Sequence, residues 1–492
     1  MKFKLRPIFR DISLTFITQA IILLALFLIY RLIAKNFGPE GMGEYSLVKR
    51  VTGFLQPILL LGVGIGIPRY IAMSRDKEQR SNYIKAGVLM AVIFTFIFLI
   101  FINLFKDYFA KIFFGTTNYS NLVLPFSLFL AGLTLHTLIY SYFRGRLLVK
   151  TFNSLQIVNL ALVPIGILII FRNITIENLI TLIGITTFII AFVFSLFFIK
   201  EFFIHIEKQQ LKNSLKGLLR YSLPRVPGDF VLAGLFSLGP IFAAHFSSIK
   251  EVGYLSVSQS LVNAMGAAIA PFGLILLPKV SNLISNGKEK IIKENLNLFI
   301  PALIQCSIFL CFQLIIFTDA IIKFWLGPEF LVAVPTVRIM SISLIFYPFY
   351  VGVRSILDAA KVKPINTINL FTSLGVFLII GGILLLFIKL PSPIISLSIA
   401  FASALICLGI LTYVSIRKIY PESFKKDFNY LWIAIVINIL LGGIALLVKP
   451  FAALSFYYLI GFLIIISIIY LSILWLLKMK WIRQIPKIIS NV

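Results

Sequence analysis

Of the chain's 492 residues 60% are hydrophobic and only 13% charged, with a formal net charge of +27. Soluble domains are roughly half apolar and a quarter charged, so a water-soluble fold is excluded. Apolar runs of about 20 residues, the length that crosses a bilayer, recur from end to end and leave no stretch for a separate globular domain. In a soluble chain the basic excess would point to nucleic acid. Here it is dispersed through short loops between apolar runs, which membrane topology explains and nucleic-acid binding does not.

The first thirty residues are basic and then apolar. Their apolar run exceeds the core of a signal peptide and lacks a small-x-small cleavage site, so a retained first helix is expected. Hydropathy then predicts fourteen membrane helices, at about 12–34, 46–72, 83–105, 120–143, 150–171, 178–200, 221–246, 253–279, 296–318, 330–354, 364–388, 392–416, 430–448 and 452–477. Cys306, Cys311 and Cys407 fall inside apolar runs, without the paired spacing of a metal site or an outer loop to carry a disulfide, and read as packing residues.

With a cytoplasmic N-terminus, most of the 45 Lys and Arg fall in the N-terminal tail, the even-numbered loops and the C-terminal tail. The positive-inside rule therefore predicts a multi-pass protein of the cell membrane with both termini cytoplasmic. The longest inner connection, Lys200 to Arg220, reads as an amphipathic linker on the membrane surface.

That linker falls midway through the first twelve helices, and a shift of 210 residues tests whether they are two copies. It puts Arg10 on Arg220, Gly43 on Gly253, Pro68-Arg69 on Pro278-Lys279, Arg80 on Lys290, Pro125 on Pro335, Tyr140 on Tyr350, Arg144 on Arg354 and Asn159 on Asn369. Pro7, Pro39, Pro57 and Pro164 find no partner at that offset. The expected architecture is an all-α, polytopic one: a six-helix bundle over 1–200, the linker 201–220, a second six-helix bundle over 221–416, and helices 13 and 14 with a cytoplasmic tail over 417–492. Six helices return the chain to its starting side, so the bundles are expected to be related by a pseudo-twofold along the membrane normal, with a cavity between them suited to alternating access.

The segment after the first helix carries Gly38, Pro39, Gly43 and Tyr45 in a G-P-x-x-x-G-x-Y-like turn. It resembles the opening of the polysaccharide-biosynthesis (Wzx-type) flippases. Val252-Gly253-Tyr254 and Leu277-Pro278-Lys279-Val280-Ser281 are similar to the same family's helix-8 pattern. The resemblance spans both halves and implies the two-bundle fold shared with multidrug extruders and lipid II flippases. It further implies a transporter, not an enzyme, that moves a lipid-linked oligosaccharide on a polyprenyl phosphate or diphosphate to the outer leaflet, for O-antigen or another surface polysaccharide. Polysaccharide polymerases or glycosyltransferases would be its protein partners, and the bilayer its surroundings. One departure is that many members carry an Asp-Arg pair late in helix 7, where this chain reads Ser237-Leu238-Gly239-Pro240-Ile241.

A phosphate crossing about 30 Å of hydrocarbon needs a cationic path, and ionisable residues inside spans face a cavity or a partner by default. Near the cytoplasmic ends lie Arg69, Arg144, Arg225, Lys279 and Arg354, candidates for a ring that captures the phosphate through guanidinium forks and an ammonium. The competing reading is snorkelling to headgroups. Toward the outer half lie Arg31, Lys49, Arg50 and Arg338, which oppose the positive-inside bias. Arg338, about 12 Å into helix 10 at 1.5 Å per residue, is the strongest cavity-lining candidate of these.

Asp229 lies four residues after Arg225, so the two can meet on one helix face as an internal ion pair, or Asp229 can bind a coupling proton or sodium ion. His136 is a proton-relay candidate whose alternative is a hydrogen-bonded structural histidine. Gly62, Gly64, Gly66 and Pro68, with Pro224, Pro227 and Gly228, are hinge candidates. No nucleotide, dinucleotide, zinc or nucleophile motif occurs, so no cofactor or metal is expected. A multidrug or cation extruder would need several embedded acids, and a membrane polymerase would need catalytic carboxylates or a large outer loop. The sequence supplies neither.

Overall fold

The computed structural model describes residues 5–204, 207–285, 287, 289–360, 364–421, 427–479 and 481–483. The described regular structure is entirely helical. In chain order the helices are α1 (Leu5–Leu59), α2 (Val63–Met73), α3 (Lys77–Leu104), α4 (Lys106–Phe114), α5 (Val123–Gly145), α6 (Val149–Ile157), α7 (Val163–Ile170), α8 (Ile176–Ser195), α9 (Ile199–Phe202), α10 (Lys208–Ser222), α11 (Val226–Phe246), α12 (Ile249–Ser285), α13 (Glu289–Trp325), α14 (Val334–Ser341), α15 (Tyr347–Ala360), α16 (Ile365–Gly382), α17 (Pro393–Ile419), α18 (Asp427–Ala452) and α19 (Phe456–Leu476).

Twelve helices among the described residues are long and apolar enough to cross a membrane. The first of them, Ser13–Leu59, has 47 residues, about twice what one crossing needs. It is broken at Gly38, whose φ of 63° suits a residue without Cβ, directly before Pro39, which has no N–H to give the helix. One continuous element therefore holds the expected first helix and the start of the second, and α2 completes the second. Similarly α12, with 37 residues, covers the expected eighth helix at 253–279.

The chain divides into two compact units, Met1–Ser256 and Val257–Val492. In the first, Val63, Ile67, Ile84, Leu138, Leu155 and Leu218 are fully buried in one apolar cluster that joins α2, α3, α5, α6 and α10. The Asp76 side chain starts α3 by accepting from the Gln79 amide at 2.7 Å, satisfying an otherwise orphan N–H. Gly43 on α1 and Gly253 on α12, equivalent under the 210-residue shift, meet back to back. A Cβ on Gly43 would run into the Ile249 carbonyl, and one on Gly253 into the Pro39 carbonyl.

In the second unit, Ile300, Val353 and Ile416 are fully buried in a cluster that joins α13, α15 and α17. Helices α18 and α19 dock on α13. The Phe309 and Tyr470 rings stack at 4.4 Å, Tyr470 donates to the Gln305 carbonyl at 2.8 Å, and the Trp481 indole donates to the Gln305 side chain at 2.7 Å.

One stretch of the first unit has a counterpart in the second. The short 3₁₀ turn Thr117–Leu122 ahead of α5 has its counterpart in Pro328–Ala333 ahead of α14. The long α3–α4 segment before the first turn answers to α13 before the second.

Candidate functional site: two arginines on one tyrosine

The site starts from two glycines on α2. Gly62, in the left-handed region at φ 71°, and Gly66, one turn on, leave a bare strip of helix against which the last turn of α10 packs. A Cβ at Gly62 would meet the Ser222 backbone, and one at Gly66 would meet the side chains of Ser222 and Leu218. Arg69 and Tyr70 follow Gly66 by three and four residues, so they share this face of α2. The Tyr70 hydroxyl donates to the Gly217 carbonyl of α10 at 3.0 Å. Its ring stacks on Tyr83 of α3 at 4.5 Å and meets Tyr221 edge-on at 5.9 Å.

Tyr221 is thus held between α2 and the start of α11. The Arg69 guanidinium carbon lies 4.4 Å from the Tyr221 ring centroid, and Nη1 of Arg69 donates to the phenol oxygen at 3.3 Å. Arg225, one turn after Tyr221, has its guanidinium carbon 3.8 Å from the same centroid and donates through Nη1 to the Tyr221 carbonyl at 2.6 Å. Both arginines are exposed. Sharing one ring, the two guanidinium carbons lie within about 8 Å of each other. Among the described residues no carboxylate is paired with either of them. Two arginines remote in sequence are therefore gathered, oriented by an aromatic face and left with donors free.

The sequence pattern of the family described as Polysaccharide biosynthesis protein matches residues 8–284, more than half of the chain. The chain belongs to this polysaccharide biosynthesis family. No curated protein matches it. Among solved structures, the lipid II flippase MurJ in an inward closed conformation aligns with a TM-score of 0.74 at 16% identity, covering 95% of this chain and 99% of the other. A multidrug resistance MATE transporter of the MOP superfamily, inward-facing, aligns with a TM-score of 0.66 at 14% identity, covering 83% and 96%. An outward-facing MATE transporter aligns at 0.57 and 13% identity, covering 84% and 96%. At these identities the likeness establishes the fold: this family member is a multi-pass membrane protein built like those transporters.

The other expected site residues of this family member lie elsewhere. Arg144 is exposed in the last turn of α5. Arg354 stands over the Tyr350 ring at 5.9 Å. The side chain of Lys279 lies outside the described residues. Arg31 is exposed. Lys49 is half-buried over the Tyr30 ring at 5.5 Å, and Arg50 stands over Phe236 at 5.9 Å, its carbonyl accepting from Ser237 at 2.9 Å. Ser237, which stands where relatives are expected to carry an acid–base pair, is therefore used to tie α11 to α1.

Arg338 is engaged in the second unit. It faces Asp319 at 3.7 Å and donates to the Ile315 carbonyl at 3.3 Å. Lys449 of α18 reaches the same carboxylate at 2.9 Å, so two cations share Asp319. His136 is buried in the first unit, its Nδ1 at 3.1 Å from the Asn159 amide, which also donates to the Thr187 carbonyl at 3.3 Å. Its ring stacks on Tyr140 at 6.2 Å. Arg225 lies over the Tyr221 ring and donates to its carbonyl, while Asp229, one turn further, is exposed.

Sequence reasoning missed Tyr221, Tyr70 and the docking role of Gly62 and Gly66. A signal was present, since Tyr-x-x-x-Arg places ring and guanidinium on one helix face. The same spacing recurs in Tyr142–Arg146, Tyr350–Arg354 and Tyr413–Arg417, each with the cation over the ring.

Proposed function

We propose that this family member flips a lipid-linked oligosaccharide, carried on a polyprenyl phosphate or diphosphate, from the inner to the outer leaflet for surface polysaccharide synthesis. The observation that carries this reading is the Arg69–Tyr221–Arg225 site. Two exposed guanidiniums within about 8 Å, uncompensated by a carboxylate among the described residues, suit a phosphate or diphosphate and repel an organic cation. Family membership supports a role in polysaccharide synthesis, and the fold shared with a lipid II flippase supports a lipid-linked cargo. In this reading Arg69 and Arg225 take the phosphate at the cytoplasmic side and the protein works by alternating access. Arg144, Arg354 and Lys279, cations near span ends in the sequence, are proposed as further phosphate contacts. The flipped lipid then passes to a polymerase or glycosyltransferase outside.

The test is a proteoliposome holding a fluorescent undecaprenyl-diphosphate oligosaccharide, with a membrane-impermeant quencher added outside. Wild type should render the label of the inner leaflet accessible, and Arg69→Ala with Arg225→Ala should slow this at least tenfold. Wild-type vesicles that move no lipid but exchange an organic cation for protons would replace this reading with that of an extruder.

A further inference from the structure

The helix that delivers Tyr221 carries a second feature on its other side. In α10 the basic residues Lys208, Lys212, Lys216 and Arg220 recur every four positions, a spacing that puts neighbours on one face of a helix. All four are exposed. At 1.5 Å per residue they form a line about 18 Å long. No acid occurs between Lys208 and Ser222 to neutralise it. The apolar side of the helix is already occupied by protein. Leu218 is fully buried, and Leu215 and Leu219 pack against the same cluster as Val63 and Ile84.

This arrangement differs from an ordinary membrane-surface helix, which sinks its leucines into the bilayer and keeps its cations above them. In α10 the leucines are taken by α2 and α3, so any attraction to the membrane must come through charge. The position favours such a contact. The helix runs through a short turn straight into α11, and the continuous helical segment Lys208–Phe246 is long and apolar enough to cross a membrane. It is also flanked by exposed apolar side chains, Phe203 at 75% and Leu223 at 50% relative exposure, which suit contact with a bilayer.

We infer that the Lys208–Lys212–Lys216–Arg220 line is a docking surface for the headgroups of anionic phospholipids. An acidic protein or nucleic acid would need no membrane-level anchor, whereas a row of cations held at the end of a spanning helix matches a negatively charged leaflet. The lipids hold α10 against the bilayer surface from outside, while Gly62 and Gly66 hold it from the protein side. The inference does not depend on what the protein transports.

The experiment uses the full chain in nanodiscs containing equal traces of photoactivatable phosphatidylglycerol and its phosphatidylcholine counterpart, with labelled peptides mapped after pepsin digestion. The peptides spanning 208–222 should take up the anionic probe over the zwitterionic one by about fivefold, a part of the attraction that several such charges provide. In K208Q/K212Q/K216Q that ratio should fall to near one, as it should for wild type in 1 M salt, where the screening length is about 3 Å. The charge reversal K212E/K216E should bring it below one. The substitution K418Q, at an exposed lysine in the last turn of α17, should leave it unchanged. Equal labelling of wild type by both probes, or an excess that survives in the triple variant, would overturn the inference. Neither arm measures translocation, so failure here and failure of the proposed cargo are told apart.

Discussion

Two pairs of arginines in the first unit meet opposite surroundings. Arg80 and Arg146 converge on the Glu201 carboxylate, at 3.3 and 2.8 Å, and the Tyr142 hydroxyl donates to the other carboxylate oxygen while accepting from Arg146 at 2.9 Å. Glu201 has only 12% of its side chain exposed. Arg69 and Arg225 converge on Tyr221, an aromatic ring without formal charge. The first cluster closes its hydrogen bonds internally and joins the starts and ends of α3, α5 and α9. The second orients its donors and, among the described residues, pairs them with no carboxylate. Residue type does not separate the two, since both are arginine pairs. The partner does: a carboxylate ties one pair into a closed cluster, whereas a ring leaves the other pair open to the anion proposed for it.

The largest expected effect lies on the Glu201 cluster. Glu201→Gln leaves two guanidiniums facing a neutral amide in a mostly buried setting, and removing one partner of such a network costs about 3 kcal/mol. Thermal unfolding in detergent should show a clear loss of Tm, and any loss of transport should follow the loss of folded protein. Unchanged Tm would mean that the cluster is not a staple, and the contrast with Tyr221 would fail.

The second effect falls on function. The double variant Arg69→Ala/Arg225→Ala removes two charge-assisted donors worth about 1.5 to 3 kcal/mol each when they bind an anion, so translocation should drop by roughly a hundredfold or more. Tm should stay within a degree or two of wild type, because both side chains are exposed. A large fall in Tm with no specific loss of transport would move this pair into the structural class. A smaller and intermediate case is Arg338, which shares Asp319 with Lys449. All three side chains are partly exposed, so Arg338→Ala should cost about 1 kcal/mol or less in stability. Its effect on transport should be well below that of the Tyr221 pair, measured in the same vesicles.

These contrasts also mark what the sequence could convey. Membrane class, all-helical fold and the ranges of most spans follow from apolar runs, because the bilayer demands about 20 such residues whatever packs against them. The 210-residue shift found Gly43 and Gly253 as equivalents but could not tell that their backbones touch, since close approach depends on side chains that are absent. Arg69 and Arg225 were legible as cations near span ends, yet not as neighbours, because 156 positions separate them and only the docking of α10 on Gly62 and Gly66 brings them together. The leucine pattern of α10 was equally legible as amphipathic. Whether α2 and α3 or lipid tails cover those leucines is set by tertiary packing, to which hydrophobic periodicity is blind. Arg338 read as a lone deep cation because Asp319 and Lys449 lie on other helices.

The smallest expected effect is the most discriminating. Tyr221→Phe keeps the ring under both guanidiniums and deletes only the phenol oxygen that accepts from Arg69, a bond of about 1 kcal/mol. Tyr221→Leu removes the ring as well, together with cation contacts worth about 0.5 to 1 kcal/mol each at an exposed site. If the ring is what holds the arginines in place, the Phe variant should flip lipid within a few-fold of wild type, and the Leu variant should approach the double-alanine rate while remaining folded. Because the carbonyl that accepts from Arg225 belongs to the backbone, it survives in both variants, so a difference between them reports on the aromatic face alone. Equal rates for Phe and Leu would show that the guanidiniums need no pedestal and that Tyr221 serves only to pack α10 against α2.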